Sequence, residues 1–184
     1  MSQSFGDTES FSPDGYRRLI GALREKSYHF KSFFDVDADA PHVVLRHDVD
    51  VSMPCAVRMA EVEADIGVRS HYFVLIRSEI YNALSRDGLD GLLRIASLGH
   101  EIGLHFDASL YPQDRAALDD AAAREAGLLE YVLQSPVRMI SFHRPVPALL
   151  GDAQDLGGRP HSYQPRFTQE IDYCSDSRGE WRYG

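Results

Sequence analysis

The sequence predicts an α/β fold in which helices cover a parallel sheet. Short apolar runs alternate along the chain with segments whose apolar residues recur at helical spacing, and such alternation is typical of a parallel sheet with helices packed outside it. Acidic, imidazole and guanidinium side chains follow several of the apolar runs. Because ligands of these folds bind at the carboxyl ends of the strands, those polar residues are candidates for a functional site.

Four segments are predicted to be helices. The first begins at Ser12-Pro13-Asp14, where a capping serine, a proline in the first turn and an acidic residue favour a helix start. Glycines end the second helix at Gly67 and the third at Gly99. The spacing of apolar residues continues the first helix through 16–23 and predicts the other three over about 54–66, 87–98 and 113–134.

Five apolar runs are predicted to be strands. The first, Val43-Val44-Leu45, continues into Arg46-His47-Asp48-Val49-Asp50. A loop rich in proline and glycine covers 145–165 and separates the last two strands. The other predicted strands are 71–76, 101–106, 137–142 and 171–175.

Composition is typical of one soluble globular domain, and we expect residues 1–184 to form it, since 43% of the residues are hydrophobic and 26% charged. A net charge of −9 argues against a nucleic-acid partner. No apolar run approaches the roughly 18 residues of a membrane span. The first residues have neither the basic start nor the apolar core of a secretory signal, so the expected location is the cytoplasm.

Polar residues follow four of the predicted strands. Carboxyl ends of parallel strands meet at one edge of a sheet, so these residues are expected to converge on one rim. In chain order the pairs are Asp48 and Asp50, His105 and Asp107, His143 and Arg144, and Asp176 and Arg178.

The two aspartates of the first pair favour a metal site. Asp48 and Asp50 are two residues apart at a strand end, so their side chains point the same way. Two such close carboxylates require a shifted pKa or a bound cation. If one binds metal and the other accepts a proton, histidines at neighbouring strand ends suit Zn²⁺, with Co²⁺ or Ni²⁺ as alternatives. The pattern therefore favours metal-assisted hydrolysis; the other interpretation is that both aspartates belong to a turn.

Four motifs carry a resemblance to a known family. Leu45–Asp50 reads LRHDVD, Gly99–His105 reads GHEIGLH, Ser141–Pro145 reads SFHRP and Tyr173–Ser177 reads YCSDS. In this order they resemble the polysaccharide deacetylases, carbohydrate esterases of the NodB-homology fold, over about residues 43–182. The resemblance implies an irregular (β/α) barrel, here incomplete or open at its C-terminal end. It also implies removal of acetyl groups from sugars at an Asp-His-His metal site.

The resemblance also implies roles for individual residues. Asp48 matches the family's general base, and Asp50 and His105 match metal ligands. His143-Arg144-Pro145 resembles the arginine-proline motif that lines the groove and orients the base. Asp176 resembles the acid that braces that arginine.

The sequence departs from the family's pattern in two places. The second metal histidine would fall at Ser109, so the third ligand must come from elsewhere; His143 is the first candidate and Asp107 the second. The histidine that acts as general acid would lie beyond the YCSDS motif, where the sequence has none. His47 and His161 are the candidate substitutes.

The predicted function is removal of an acetyl group from an N-acetylated sugar, as a nucleotide- or lipid-linked precursor of a surface polysaccharide. His161 and Tyr163 are candidate substrate-binding residues in the 145–165 loop. The expected partner is a small-molecule or oligosaccharide substrate, and a second copy of the chain could cover an open barrel edge. The alternatives are an amidase of another small molecule and a non-catalytic carbohydrate-binding remnant.

Overall fold

The structure is a computed structural model that describes residues 12–37 and 39–174. Its helices are α1 Pro13–Glu25, α2 Met53–Asp65, α3 Arg86–Ser97, α4 Arg115–Leu133 and α5 Pro165–Thr168. Its strands are β1 His29–Phe30, β2 His42–Val43, β3 Arg46–Val49, β4 His71–Val74, β5 Glu101–Phe106 and β6 Ile140–Phe142. No helix of this part of the chain is long and apolar enough to cross a bilayer.

Four parallel strands form the main sheet, in the order β3-β4-β5-β6. A helix connects each strand to the next, and α2, α3 and α4 pack against the same apolar cluster. Strands β1 and β2 form a separate parallel pair. The predicted α/β fold with a parallel sheet is therefore confirmed.

The two faces of the sheet have different compositions. Side chains alternate between faces along a strand, and the face under the helices is apolar, with Val49, Val74, Leu104, Phe106, Ile140 and Phe142 in the main core. The other face carries Arg46, Asp48, His71, Phe73, His105 and Ser141. This second face is the one that holds the candidate site.

The sheet is curled around this polar face. In a flat sheet, β3 and β6 would be about 14 Å apart, since neighbouring strands are separated by about 4.8 Å. Yet Arg46 of β3 donates a hydrogen bond to Ser141 of β6, and Asp50 after β3 lies 3.0 Å from His143 after β6. Over residues 12–37 and 39–174 the sheet is an open half-barrel with the polar face inside, and a closed barrel is not formed by these residues.

Two predicted strands differ from the structure. The apolar run Val43–Leu45 does not form the first long strand; Val43 ends β2, and the following motif itself forms β3. Residues 171–174, which follow α5, are not a strand, and no strand in the described part of the chain pairs with them. Ser175, the last residue of that prediction, lies outside the described residues.

The proline- and glycine-rich loop is fixed to helix α4. Arg115 pairs with Asp152 and donates to the carbonyl of Asp155, while Asp119 accepts a hydrogen bond from the backbone of Gly157 at 2.8 Å. Beyond these contacts, the chain near His161 runs parallel to β6, next to Ile140. The loop thereby brings residues 162–163 to the inner face of the sheet.

Gly103 of β5 leaves the room that Phe73 needs on the inner face. A Cβ atom at Gly103 would lie 2.5 Å from the Phe73 ring and 3.0 Å from the carbonyl oxygen of Met139. We expect Gly103→Ala to lower the free energy of unfolding by about 2 kcal/mol through overpacking, measured by urea denaturation. Gly127→Ala in α4 is the matched control, because nothing lies within 4 Å of its Cβ position and alanine favours a helix. Equal stability of Gly103→Ala and wild type would contradict this packing.

Candidate metal centre

Three side chains that can bind a metal converge at the carboxyl ends of the strands. Oδ1 of Asp50, just after β3, lies 3.2 Å from Nε2 of His105 on β5 and 3.0 Å from Nδ1 of His143, just after β6. One donor atom from each residue lies within 4.8 Å of the other two. The predicted convergence of these three residues on one rim is thus observed.

The donor set fits a Zn²⁺-type ion. Zinc binds histidine nitrogen and carboxylate oxygen at about 2.0–2.2 Å, so two donors at a tetrahedral angle are about 3.3–3.6 Å apart. The two Asp50–histidine distances are slightly below this range. A tetrahedral ion held by these three donors would keep a fourth position for water or substrate.

The three residues differ in burial, and the cluster is accessible to solvent on one side. The side chain of His105 is only 2% exposed, whereas that of Asp50 is 46% exposed. Nε2 of His105 is the ring atom that faces the carboxylates. Nδ1 is buried and has no hydrogen-bond partner in the described part of the chain. The hydrogen bond with His105 lowers the pKa of Asp50 more than its partial burial raises it.

Asp107, the second candidate for the third ligand, has another structural role. Its Oδ1 accepts hydrogen bonds from the backbone nitrogen and the hydroxyl of Ser109, at 3.0 and 2.6 Å. These contacts cap the short 3₁₀ turn Ala108–Leu110. The geometry therefore favours His143 as the third donor.

Asp48 lies beside the cluster and is held by an arginine of its own strand. Arg46 donates from Nε to Oδ1 at 2.9 Å and from Nη2 to Oδ2 at 2.7 Å. Oδ2 of Asp48 is 3.8 Å from Nε2 of His105. Burial alone would raise the pKa of Asp48, but the Arg46 guanidinium outweighs it, so that the pKa lies below its usual value. Asp48 is therefore a carboxylate at neutral pH.

The other predicted site residues have different surroundings. Arg144 does not contact Asp48; its side chain is 65% exposed, and Nη1 lies 3.7 Å from Oδ2 of Asp107. The ring of His161 is fully buried against Phe142. Tyr163 is partly buried, with the Arg46 guanidinium 5.3 Å from its ring centroid. Asp176 and Arg178 lie outside the described residues.

The two candidate general acids are not part of this cluster. His47 precedes Asp48 on β3 and points to the opposite face of the sheet, where its Nε2 is 2.7 Å from Oε1 of Glu63. His161 is buried, and among the described residues neither of its ring nitrogens has a hydrogen-bond partner. Within residues 12–37 and 39–174 no contact joins either ring to Asp50, His105 or His143.

Sequence reasoning missed Glu63, which supports β3 from behind. Its side chain is 0% exposed. Oε1 accepts a hydrogen bond from Tyr16 at 2.5 Å and lies 2.7 Å from Nε2 of His47, while Oε2 accepts one from Tyr72 at 2.6 Å. The available signal was its position on α2, on the same buried stripe as Ala60. The network ties α1, α2, β3 and β4 together directly behind Asp48.

Comparison with solved structures identifies the fold. A Streptococcus pyogenes deacetylase, PplD, solved in complex with acetate, superimposes with a TM-score of 0.50 at 15% identity, over 77% of this chain and 68% of that one. The chain has the fold of this deacetylase. No protein-family model matches the sequence, and no curated protein matches it.

Two further structures belong to carbohydrate esterase family 4. An esterase of this family from Bacillus anthracis gives a TM-score of 0.45 at 17% identity, over 67% of this chain and 56% of that one. A pseudoenzyme of the same family and organism gives 0.42 at 14% identity, over 54% of this chain. The match spans about a third of the length of that pseudoenzyme, 34%.

Proposed function

We propose that this chain is a metal-dependent hydrolase that removes an acetyl group from the nitrogen of an amino sugar. The observation that carries the proposal is the cluster of Asp50, His105 and His143, with the charged carboxylate of Asp48 beside it. The fold shared with a deacetylase is consistent with this chemistry. The motifs that resemble the polysaccharide deacetylases supply three of these four residues with the same roles.

Each residue of the site has a distinct task in the proposal. Asp50, His105 and His143 hold the metal, which when bound would polarise an acyl carbonyl and lower the pKa of a water. Asp48 is charged and 28% exposed, so it can accept a proton from that water. Arg144 is exposed beside His143 and is available to contact the substrate. Asp176 keeps its proposed role as the acid that braces Arg144.

The proposed substrate is a precursor of a surface polysaccharide, linked to a nucleotide or a lipid and processed in the cytoplasm. A neutral acetamido group is compatible with the net charge of −9, which disfavours polyanionic polymers. Tyr163 is the proposed contact for the sugar ring from the 145–165 loop, since part of it is accessible. His161 is fully buried, so its proposed contact with substrate requires this loop to move.

The experiment is an acetate-release assay on protein purified without a histidine tag. Zinc-loaded and chelator-treated protein would be compared on N-acetylated sugars in free, nucleotide-linked and lipid-linked form, with a simple acetylated amine to test the amidase alternative. We expect acetate from one sugar class with zinc-loaded protein and none after chelation. A protein that binds no metal and releases no acetate would be a non-catalytic remnant, and the proposal would be wrong.

A further inference from the structure

We propose that Arg46 is the residue that positions Asp48 for proton transfer, the role that the motif resemblance gives to Arg144. The catalytic part of this inference rests on the proposed function. The pairing itself rests on the contacts of Arg46 alone, so the two can be tested separately.

Arg46 and Asp48 form a two-point ion pair. Nε and Nη2 of Arg46 reach the two oxygens of Asp48 at 2.9 and 2.7 Å, one bond to each oxygen. Such paired bonds fix the plane of a carboxylate as well as its position. Arg46 and Asp48 point to the same face because they are two residues apart on β3.

The rest of the Arg46 guanidinium is also held by hydrogen bonds. Nη1 donates to the hydroxyl of Ser162 at 3.1 Å, and Nη2 also donates to the hydroxyl of Ser141. Four of the five N–H donors of an arginine are thereby used. The guanidinium carbon lies 5.6 Å from the ring centroid of Phe73 and 5.3 Å from that of Tyr163. With its side chain only 13% exposed, Arg46 is a rigid support for Asp48.

Arg144, by contrast, makes no such contact with Asp48. It is exposed on the rim and lies nearest Asp107, whereas Arg46 occupies both oxygens of Asp48. Two residues on the same face of one strand thus supply both the base and its support. The position of Asp48 then depends on β3, β6 and residues 162–163, all within the described half-barrel.

The kinetic test uses Arg46→Gln, Arg46→Lys and a matched control. We expect Arg46→Gln to lower kcat about 100-fold, because small displacements of a catalytic group have effects of this size. KM should stay within about threefold and bound zinc at the wild-type level, because Asp50, His105 and His143 are unchanged. Lysine keeps the charge but not the two-point contact, so the kcat of Arg46→Lys should lie between the kcat of Arg46→Gln and that of wild type.

The control is Arg159→Gln, which removes a partly buried arginine from Glu130, 2.8 Å away and on the α4 side of the fold. It should lose stability but keep kcat. Unchanged kcat in Arg46→Gln, or equal losses of kcat in the two glutamine variants, would overturn the positioning role. If Arg46→Gln does not fold, the positioning role is tested with Arg46→Lys alone. A kcat of Arg46→Lys equal to that of wild type would then overturn the proposal.

A second readout does not need activity. Denaturation midpoints of metal-free wild type, Arg46→Gln, Asp48→Asn and the double variant form a cycle. Non-additive losses are expected if the two side chains pair, and strictly additive losses would overturn the pairing. If wild type releases no acetate, the proposed function and the catalytic part of this inference are wrong, and the cycle still decides the pairing.

Discussion

We expect Asp48→Asn to lower kcat by about 10²–10⁴-fold, the range typical of a lost general base, while bound metal stays at the wild-type level. Asparagine has nearly the same shape but cannot accept a proton from water at neutral pH. Metal should be retained because the three proposed ligands are unchanged. Acetate release and elemental analysis on the same preparation measure both quantities.

The control for Asp48→Asn is Asp119→Asn, which changes an aspartate of α4 whose carboxylate accepts a hydrogen bond from the backbone nitrogen of Gly157. This variant should keep wild-type kcat. Loss of metal together with activity in Asp48→Asn would make Asp48 a ligand instead of the base. Activity above a tenth of wild type would show that another group takes the proton.

The largest expected effect on stability belongs to Glu63. We expect Glu63→Ala to lower the free energy of unfolding by about 3–5 kcal/mol, since removing one partner of a buried charged network leaves the others unpaired. Tyr16, His47 and Tyr72 would each lose the carboxylate that they contact. Glu61→Ala on the same helix is the control, because Glu61 is 43% exposed and its pair with Arg94 lies at the surface, where such pairs contribute about 0–1 kcal/mol. Similar unfolding midpoints for the two variants would contradict the role of Glu63.

Glu63 also predicts a dependence of stability on pH. Burial alone would raise its pKa, but the contacts with His47, Tyr16 and Tyr72 outweigh burial and lower the pKa to about 2. Because the folded pKa is below the unfolded value of 4.5, its contribution is complete above about pH 4.5 and is lost as the pH falls towards 2. Wild type should therefore lose more stability between pH 5 and pH 2 than Glu63→Gln does. Parallel curves for the two proteins would contradict this.

The convergence of Asp50, His105 and His143 could be predicted from the sequence because it depends on local rules. Each residue lies at or near the carboxyl end of an apolar run, and parallel strands align those ends. The alternation of apolar runs and helical segments predicted the order of strands and helices. This pattern and the polar residues after the apolar runs can both be recognised from residues close together in the sequence. The predicted strand is absent at 171–174 because an apolar run forms a strand only where a neighbouring strand can pair with it, and no described strand pairs with these residues.

The contacts of Arg46 with Ser141 and Ser162, and those of Glu63, could not be predicted because they depend on how distant elements pack. Arg46 meets Ser162, 116 residues further along the chain, and it does so because the sheet is curled. A glutamate on a helix is usually exposed to solvent. The burial of Glu63 follows from how α1, β3 and β4 pack around it. In both cases a charged residue became part of the interior through partners that no short-range pattern shows.

Elemental analysis of protein purified without a histidine tag would test whether Asp50, His105 and His143 hold a metal. Wild type should contain about one zinc, cobalt or nickel ion per chain, and His105→Ala should contain almost none. His71→Ala removes another buried histidine of the inner face that is not in the cluster, so it should keep its metal despite lower stability. Wild type without metal after zinc is added back, or His105→Ala with a full complement, would contradict the account.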